Sequence, residues 1–304
     1  MKLYFAPLQG YTDDIYLRLH KEIYGKPEVC YTPFIRLEKG EPRRRDINRY
    51  VNATESGVGI IPQVIFRSVA EFSSLTDSLK AVGASSIDLN MGCPYPMQTR
   101  KGRGAGILAD HDTVSDVMRL IGEDNGTSYS VKLRLGLNNP NQWKDVLPIL
   151  NSTKLTHVTM HPRIATQMYG GELFIDQFKE FYAASTNPVV YNGDIQSLDD
   201  MARICDEYPD LKGIMIGRGL LARPSLATEW IEGREWDENE RMDKILIFHS
   251  RLLEEYEAIL CGDTQILMKI KPFWDYLEPQ IGHKAIKAIR KATSLAKYKS
   301  ATQI

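Results

Sequence analysis

The chain has 304 residues, 43% hydrophobic and 25% charged, with a formal net charge of −1. These are ordinary values for a soluble globular protein, and the length allows one large domain plus a small one. No apolar run approaches the roughly 20 residues of a membrane span, so no membrane partner is expected.

The first apolar stretch, Leu3 to Leu8, is short, contains Pro7 and is soon followed by Asp13 and Asp14, which does not read as a secretory signal. Short segments rich in branched residues then recur, each followed by a glycine, proline or polar loop and a helical pattern. Strands are predicted at Leu3–Ala6, Val29–Ile35, Ile60–Ile65, Ser86–Asn90, Ser128–Arg134, His157–His161, Pro188–Tyr191 and Gly213–Ile216. Helices are predicted between them at Asp14–Ile23, Val69–Val82, Thr113–Ile121, Trp143–Leu150, Ile175–Ala184 and Leu198–Glu207. Alternating strands and helices make parallel βα units, and eight strands within about 220 residues match an α/β fold of the (β/α)8 TIM-barrel type. A doubly wound sheet is the alternative, but the first βα turn lacks GxGxxG. After Ala222-Arg223-Pro224 a helix should run to about Trp230, and the acidic stretch 233–240 reads as a linker. Helical periodicity follows at Met242–Leu260, Gln265–Leu277 and Lys284–Lys297. The expected division is a catalytic barrel over 1–235 and a small C-terminal helical domain over 240–304.

In such a barrel the C-terminal ends of the strands build the active site. Here they deliver Pro7-Leu8-Gln9, Gln63, Asn90-Met91-Gly92-Cys93, Lys132-Leu133-Arg134, His161-Pro162-Arg163, Asn192-Gly193-Asp194 and Gly217-Arg218-Gly219. Cys93 stands on a glycine-flanked loop, placed for chemistry; the competing reading is a small inert buried residue. Gly102, Gly104 and Gly106 follow, where backbone is expected to approach a ligand closely. The loops at 192–194 and 217–219 follow strands seven and eight, where barrels commonly bind phosphate. Glycine exposes backbone N–H groups there, and Arg218 adds a charge-assisted contact. No acidic cluster has metal spacing, so the phosphate is expected to belong to an organic cofactor. Phosphate, the interior cation Lys132 and a neighbouring thiol fit flavin mononucleotide (FMN).

The four cysteines, Cys30, Cys93, Cys205 and Cys261, form no CxxC, which argues against zinc and disulfides and fits a reducing cytoplasm. Charge is unevenly spread. From Thr264 onward eight lysines and arginines face two acidic residues, and Arg36 to Arg49 carries six basic against three acidic residues. Such clusters are either a footprint for a polyanion or a solvated helix face.

The motifs together resemble the tRNA-dihydrouridine synthase family. Ala6-Pro7-Leu8-Gln9-Gly10-Tyr11-Thr12-Asp13 is similar to its opening APMxGxTD, and Asp88 to Pro94 to its DxNxGCP. Lys132 to Gly136 matches KxRxG, and His161-Pro162-Arg163 with Tyr169-Gly170-Gly171 resembles HxRxxxQxYxG. Asn192 to Ile195 and Met215 to Gly219 complete the series. The tail Gly262-Asp263-Thr264 with Lys269 to Trp274 looks most like the bacterial DusC branch. Leu8, Gln9 and Pro162 depart from the usual residues.

The resemblance implies reduction of a tRNA uridine to 5,6-dihydrouridine, with NADPH reducing FMN and flavin N5 giving a hydride to uracil C6. Cys93 would give the proton to C5. Pro7, Leu8, Gln9, Gln63, Lys132, His161, Asn192, Gly193, Asp194, Gly217 and Arg218 would hold the cofactor. Asn90 would bind the uracil, and Arg36, Tyr169, Lys269, Lys271 and Trp274 would touch tRNA. The target base must leave its stack to reach the flavin. A monomer without metal is expected. Two other readings stay open: an FMN reductase of a free pyrimidine or enone, and a barrel that binds tRNA without redox chemistry.

Overall fold

The computed structural model describes residues 1–303. Its centre is a parallel barrel of eight strands: β1 (Lys2–Phe5), β2 (Val29–Tyr31), β3 in two halves (Ile60–Ile61 and Gln63–Val64), β4 (Ser86–Met91), β5 (Ser128–Gly136), β6 (Val158–Ile164), β7 (Val189–Tyr191) and β8 (Gly213–Ile216). Going round the ring the order is β3, β2, β1, β8, β7, β6, β5, β4 and back to β3. Pro62 divides β3 and has no N–H to give a ladder. The first half pairs with β2, Cys30 opposite Ile60. The second half pairs with β4, Gln63 opposite Asp88, so the ring closes across the proline.

Alternation of side chains along each strand separates two cores. Leu3 and Phe5 point outward into the layer beneath the helices. Tyr4 and Ala6 point inward and meet Tyr31, Val190 and Met215 inside the barrel. There the Tyr31 hydroxyl lies 2.9 Å from His157 Nε2. Burial pushes His157 down to about 4, so it is a neutral core residue. This apolar plug fills one end of the barrel and leaves the other end for polar groups.

The helices begin where short polar side chains satisfy the first free amides. Asp13 accepts from Tyr16 N ahead of Asp14–Tyr24, Ser68 from Glu71 N ahead of Val69–Ala81, and Ser197 from Asp200 N ahead of Leu198–Glu207. Several expectations need correction. Strand two ladders only to Tyr31, since Pro33 interrupts it and Ile35 makes an isolated bridge to Val64. A two-residue hairpin and a helix, Arg44–Glu55, occupy a segment for which the sequence suggested only charge. The acidic stretch at 233–240 is no loose linker: Trp236 is buried and its amide donates to Glu229 at 2.8 Å. Glu229, fully buried, also receives Arg223 and Ser225.

The C-terminal region is helical at Glu238–Ile259, Gly262–Ile270, Glu278–Ile281, His283–Lys291 and Leu295–Ala301. The helix expected through 284–297 breaks at Ala292, and Ser294 caps a new one. This region docks on Asp14–Tyr24. Arg18 pairs with Glu255 at 2.6 Å, Tyr256 donates to Asp13 at 3.0 Å, and the rings of Tyr16 and Phe248 lie 4.8 Å apart. No described helix is long and apolar enough to cross a membrane.

Candidate active site

The polar end of the barrel opens into a cleft of two joined lobes. The first is lined by Pro7, Gln9, Gln63, Asn90, Cys93 and Lys132, and the second by Asn192, Gly193, Asp194, Gly217 and Arg218. Pro7, Lys132, His161, Tyr169 and Arg218 line both. The expected strand ends therefore meet in one place.

Register puts Gln63 beside Asp88 and Asp88 beside Ser130. Ser130 donates to one Asp88 oxygen at 2.5 Å, and Gln63 Nε2 to the other at 2.7 Å. Gln63 Oε1 accepts from Asn90 Nδ2 at 2.7 Å, and Asn90 Oδ1 accepts from the Cys93 amide at 2.8 Å. Burial pushes Asp88 up to about 7 despite the hydrogen bonds from Ser130 and Gln63.

Cys93 follows β4 on a turn that glycine makes possible. A side chain at Gly92 would come within 3.1 Å of Leu133 backbone. At Gly104, where φ is +57°, it would lie 2.6 Å from the Cys93 carbonyl, and at Gly106 2.5 Å from that of Thr99. The glycines after Cys93 thus pack against the thiol-bearing turn and its neighbour, rather than exposing backbone to a ligand as expected. Burial raises the Cys93 thiol, and the weaker pull of Arg134 and Lys132 does not reverse this. The group stays a thiol at neutral pH.

One wall is cationic. Burial, reinforced by Arg134, lowers Lys132 to about 8. Its ammonium faces the cleft with no hydrogen-bond partner among the described residues. Burial together with Arg134, Lys132, Arg163 and Arg218 drives His161 well below its ordinary value, so it is neutral. Asp194 bridges two guanidiniums, accepting from Arg163 at 2.9 Å and from Arg218 at 2.9 Å. Its carboxyl is held below the usual range because those two arginines outweigh its desolvation. Tyr169 lies between two cations, with Arg134 and Arg218 at 5.3 and 5.2 Å from its ring centre.

These residues fit FMN. Three cations, Lys132, Arg134 and Arg218, line a cleft in which Asp194 is the acidic residue on the wall, so the site favours an anion. Gly193 and Gly217 bring bare backbone to the lobe where Arg218 points. A side chain at Gly193 would press on Tyr191 and Leu173 at 3.1 and 3.3 Å. Asn192 donates to Met215 O at 2.8 Å and ties the two loops together. Leu8 supports them from beneath, near Gly217. Among the described residues no group of His, Cys, Asp and Glu is arranged to hold a metal.

The residues expected to touch RNA divide. Tyr169 lines the cleft, and Arg36 sits at the base of the hairpin, its carbonyl accepting from Arg43 N at 3.1 Å. The other three are held by partners within the protein. Trp274 is 1% exposed and donates to Tyr298 at 2.8 Å. Lys271 donates to the carbonyls of Arg290 and Ala292 at a helix C-terminus. Lys269 pairs with the buried Asp13 at 2.5 Å. The structure does not bring these three to the cleft; each holds the helical region together. Conversely, Phe34, Tyr95 and Tyr276 line the cleft without having been expected there, and Arg134, expected at the mouth only as part of Lys132-Leu133-Arg134, lines it too. Arg134 was readable, being two residues from Lys132 on the same strand face.

The family model for dihydrouridine synthase matches residues 4–293. The probable tRNA-dihydrouridine synthase 2 of Bacillus subtilis is 25% identical over 258 residues, 83% of this chain and 78% of that protein. The tRNA-dihydrouridine(16) synthase of Pseudomonas syringae pv. tomato is 28% identical over 248 residues, 78% of this chain and 77% of that protein. Among solved structures, the old yellow enzyme homologue from Zymomonas mobilis superposes with a TM-score of 0.56 at 11% identity, over 78% of this chain and 90% of that one. The old yellow enzyme from Trypanosoma cruzi gives 0.55 at 8%, over 78% and 89%. At such identities these two likenesses speak for the barrel alone. The match of the family model over nearly the whole chain carries more: the protein belongs to the dihydrouridine synthase family of oxidoreductases.

Proposed function

We propose that this protein reduces a uridine of tRNA to 5,6-dihydrouridine, with FMN as resident cofactor and NADPH as the source of electrons. The observation that carries this reading is that Cys93 and Lys132 line one cleft, continuous with a lobe edged by Gly193, Gly217 and Arg218. The family match and the names of the relatives support it.

When bound, FMN supplies the hydride for C6 of the uracil. Cys93 supplies the proton for C5, which requires the thiol form that burial favours. The resulting thiolate takes its proton back from water. Asn90, fixed against the Cys93 turn, orients the uracil edge. Gln63 and Lys132 would hold the flavin ring, and Lys132 would offset negative charge on the reduced ring. Arg218, Gly193, Asp194 and Gly217 would hold the phosphate end, His161, Asn192 and Leu8 would border it, and Pro7 and Gln9 would edge the neighbouring lobe.

With Trp274 and Lys271 held by partners within the protein, the RNA surface is assigned to the basic face beyond β2. Arg44 and Arg45 are exposed and, unlike Arg43 and Arg49, form no ion pair among the described residues. They border a groove that continues to Lys269. Arg36 and Tyr169 lead from there toward the cleft. The cytoplasm, as the compartment that holds tRNA and NADPH, is the proposed location.

The test is the dihydrouridine map of tRNA from a strain lacking this protein. Loss at one position, restored by wild type but not by Cys93→Ala, is expected. The relative named for position 16 makes that the first position to examine. An unchanged map contradicts the proposal.

A further inference from the structure

Asp88, Gln63 and Asn90 form a hydrogen-bonded chain whose polarity is dictated at the turn and matched at the other end by ionised Asp88. At one end stand the backbone amides of Cys93 and Gly92, which only donate; they reach Asn90 Oδ1 at 2.8 and 3.2 Å. Asn90 must therefore turn its NH2 to Gln63, and does so at 2.7 Å. Gln63 must then accept with Oε1 and donate with Nε2, which lies 2.7 Å from an Asp88 oxygen. At the far end the Asp88 carboxylate accepts from Gln63, while Ser130 donates to its other oxygen at 2.5 Å. Gln63 and Asp88 are fully buried and Asn90 nearly so, so water does not supply alternative partners.

Replace the acceptor at Asp88 and Gln63 loses the reason to point its NH2 downward. If the Gln63 amide turns over, Asn90 must follow, and its NH2 then faces the N–H groups of Gly92 and Cys93. Two donors facing each other inside a buried turn push that turn away.

We infer that Asp88 is a positioning residue: acting through Gln63, it fixes the sense of the Asn90 carboxamide and so holds the turn that carries the Cys93 thiol. This rests on the proposed role of Cys93 as proton donor. Asp88 itself does not line the cleft. The arrangement explains why an acid is tolerated on the barrel floor directly across the ladder from Ser130. It also makes a specific distinction between substitutions. An asparagine at 88 keeps an oxygen for Gln63 by turning its NH2 to the Ser130 hydroxyl, which accepts. A leucine keeps the volume and offers no acceptor.

The experiment compares wild type, Asp88→Asn, Asp88→Leu and Cys93→Ala as FMN-loaded holoenzymes. Flavin content, flavin reduction by NADPH, and kcat and KM for uridine reduction in tRNA are measured on each. Asp88→Asn is expected to keep kcat within about threefold. Asp88→Leu is expected to lose on the order of 10² in kcat, the usual effect of a misplaced reacting group, with a smaller change in KM as Asn90 turns. NADPH should still reduce its flavin, with a loss much smaller than that in uridine reduction. If the leucine variant does not fold as a flavoprotein, Asp88→Ala replaces it, because the vacated volume admits a water that imposes no fixed polarity. The order wild type, Asn, Ala is then expected in kcat. Full kcat in Asp88→Leu or Asp88→Ala beside an inactive Cys93→Ala overturns the positioning role and leaves the proton-donor assignment standing. An asparagine variant as slow as leucine also overturns it, since charge rather than acceptor geometry would then matter. Full activity in Cys93→Ala removes the proton-donor assignment itself, and the inference with it.

Discussion

Asn90 on β4 and Lys132 on β5 are register partners across one ladder. Neighbouring strands run about 4.8 Å apart, so the amide that holds the Cys93 turn and the cation assigned to the flavin stand side by side. The residues proposed to position the proton donor and the flavin thus stand on adjacent strands of one sheet.

The Cys93→Ala variant separates the two halves of the reaction. It should bind FMN and tRNA and be reduced normally by NADPH, because the thiol acts only on uracil. Uridine reduction should fall by roughly 10²–10⁴, the share of a positioned general acid. Stopped-flow reduction with NADPH, followed by single turnover with tRNA, reads the two halves in turn.

Lys132 gives cofactor binding a pH dependence. Its value is lowered to about 8 by burial and by Arg134. A carbonyl acceptor of a cofactor held beside it would favour the charged form and raise that value. FMN affinity of the apoenzyme should therefore be full below about pH 8 and decline as pH rises through it. Lys132→Met should bind FMN more weakly at pH 7 and lose this decline. Fluorescence titration between pH 6 and 9 measures both.

Arg218→Ala should lose FMN affinity by about 10- to 100-fold, the worth of a charge-assisted contact. The loss should come without collapse of the loop, since Arg163 continues to hold Asp194. Flavin retained per chain after gel filtration checks this.

Arg44 and Arg45 should govern salt dependence. Removing both should weaken tRNA binding and flatten the plot of log affinity against log salt, by about one unit of slope for each phosphate no longer neutralised. Trp274→Ala should act differently, costing about 3–5 kcal/mol of stability through its buried side chain. In variants kept folded, it should leave the salt slope alone. Salt titrations and thermal melts of both variants distinguish a surface from a core.

The barrel and most of the cleft were legible because seven of the eight strands are followed by polar residues or glycines. Asn192-Gly193-Asp194 and Gly217-Arg218-Gly219 are cases where polar groups and glycines follow apolar runs. The C-terminal lysines were not legible in the same way. A basic run does not say whether a long side chain reaches water, a carboxylate as Lys269 does, or carbonyls as Lys271 does. The helix Arg44–Glu55 escaped because only Tyr50 and Ala53 are buried along its 12 residues, which leaves little apolar periodicity to read. Glu229 escaped for a related reason: an acidic residue reads as exposed until Arg223, Ser225 and the Trp236 amide are seen to converge on it.

The account is tested most directly by giving the purified holoenzyme NADPH and either unmodified tRNA or free uridine under identical conditions. Dihydrouridine should accumulate at one tRNA position with NADPH oxidised in equal amount, and free uridine should yield essentially none. Turnover of free uridine or of a small enone, with no dihydrouridine formed in tRNA, would contradict the account.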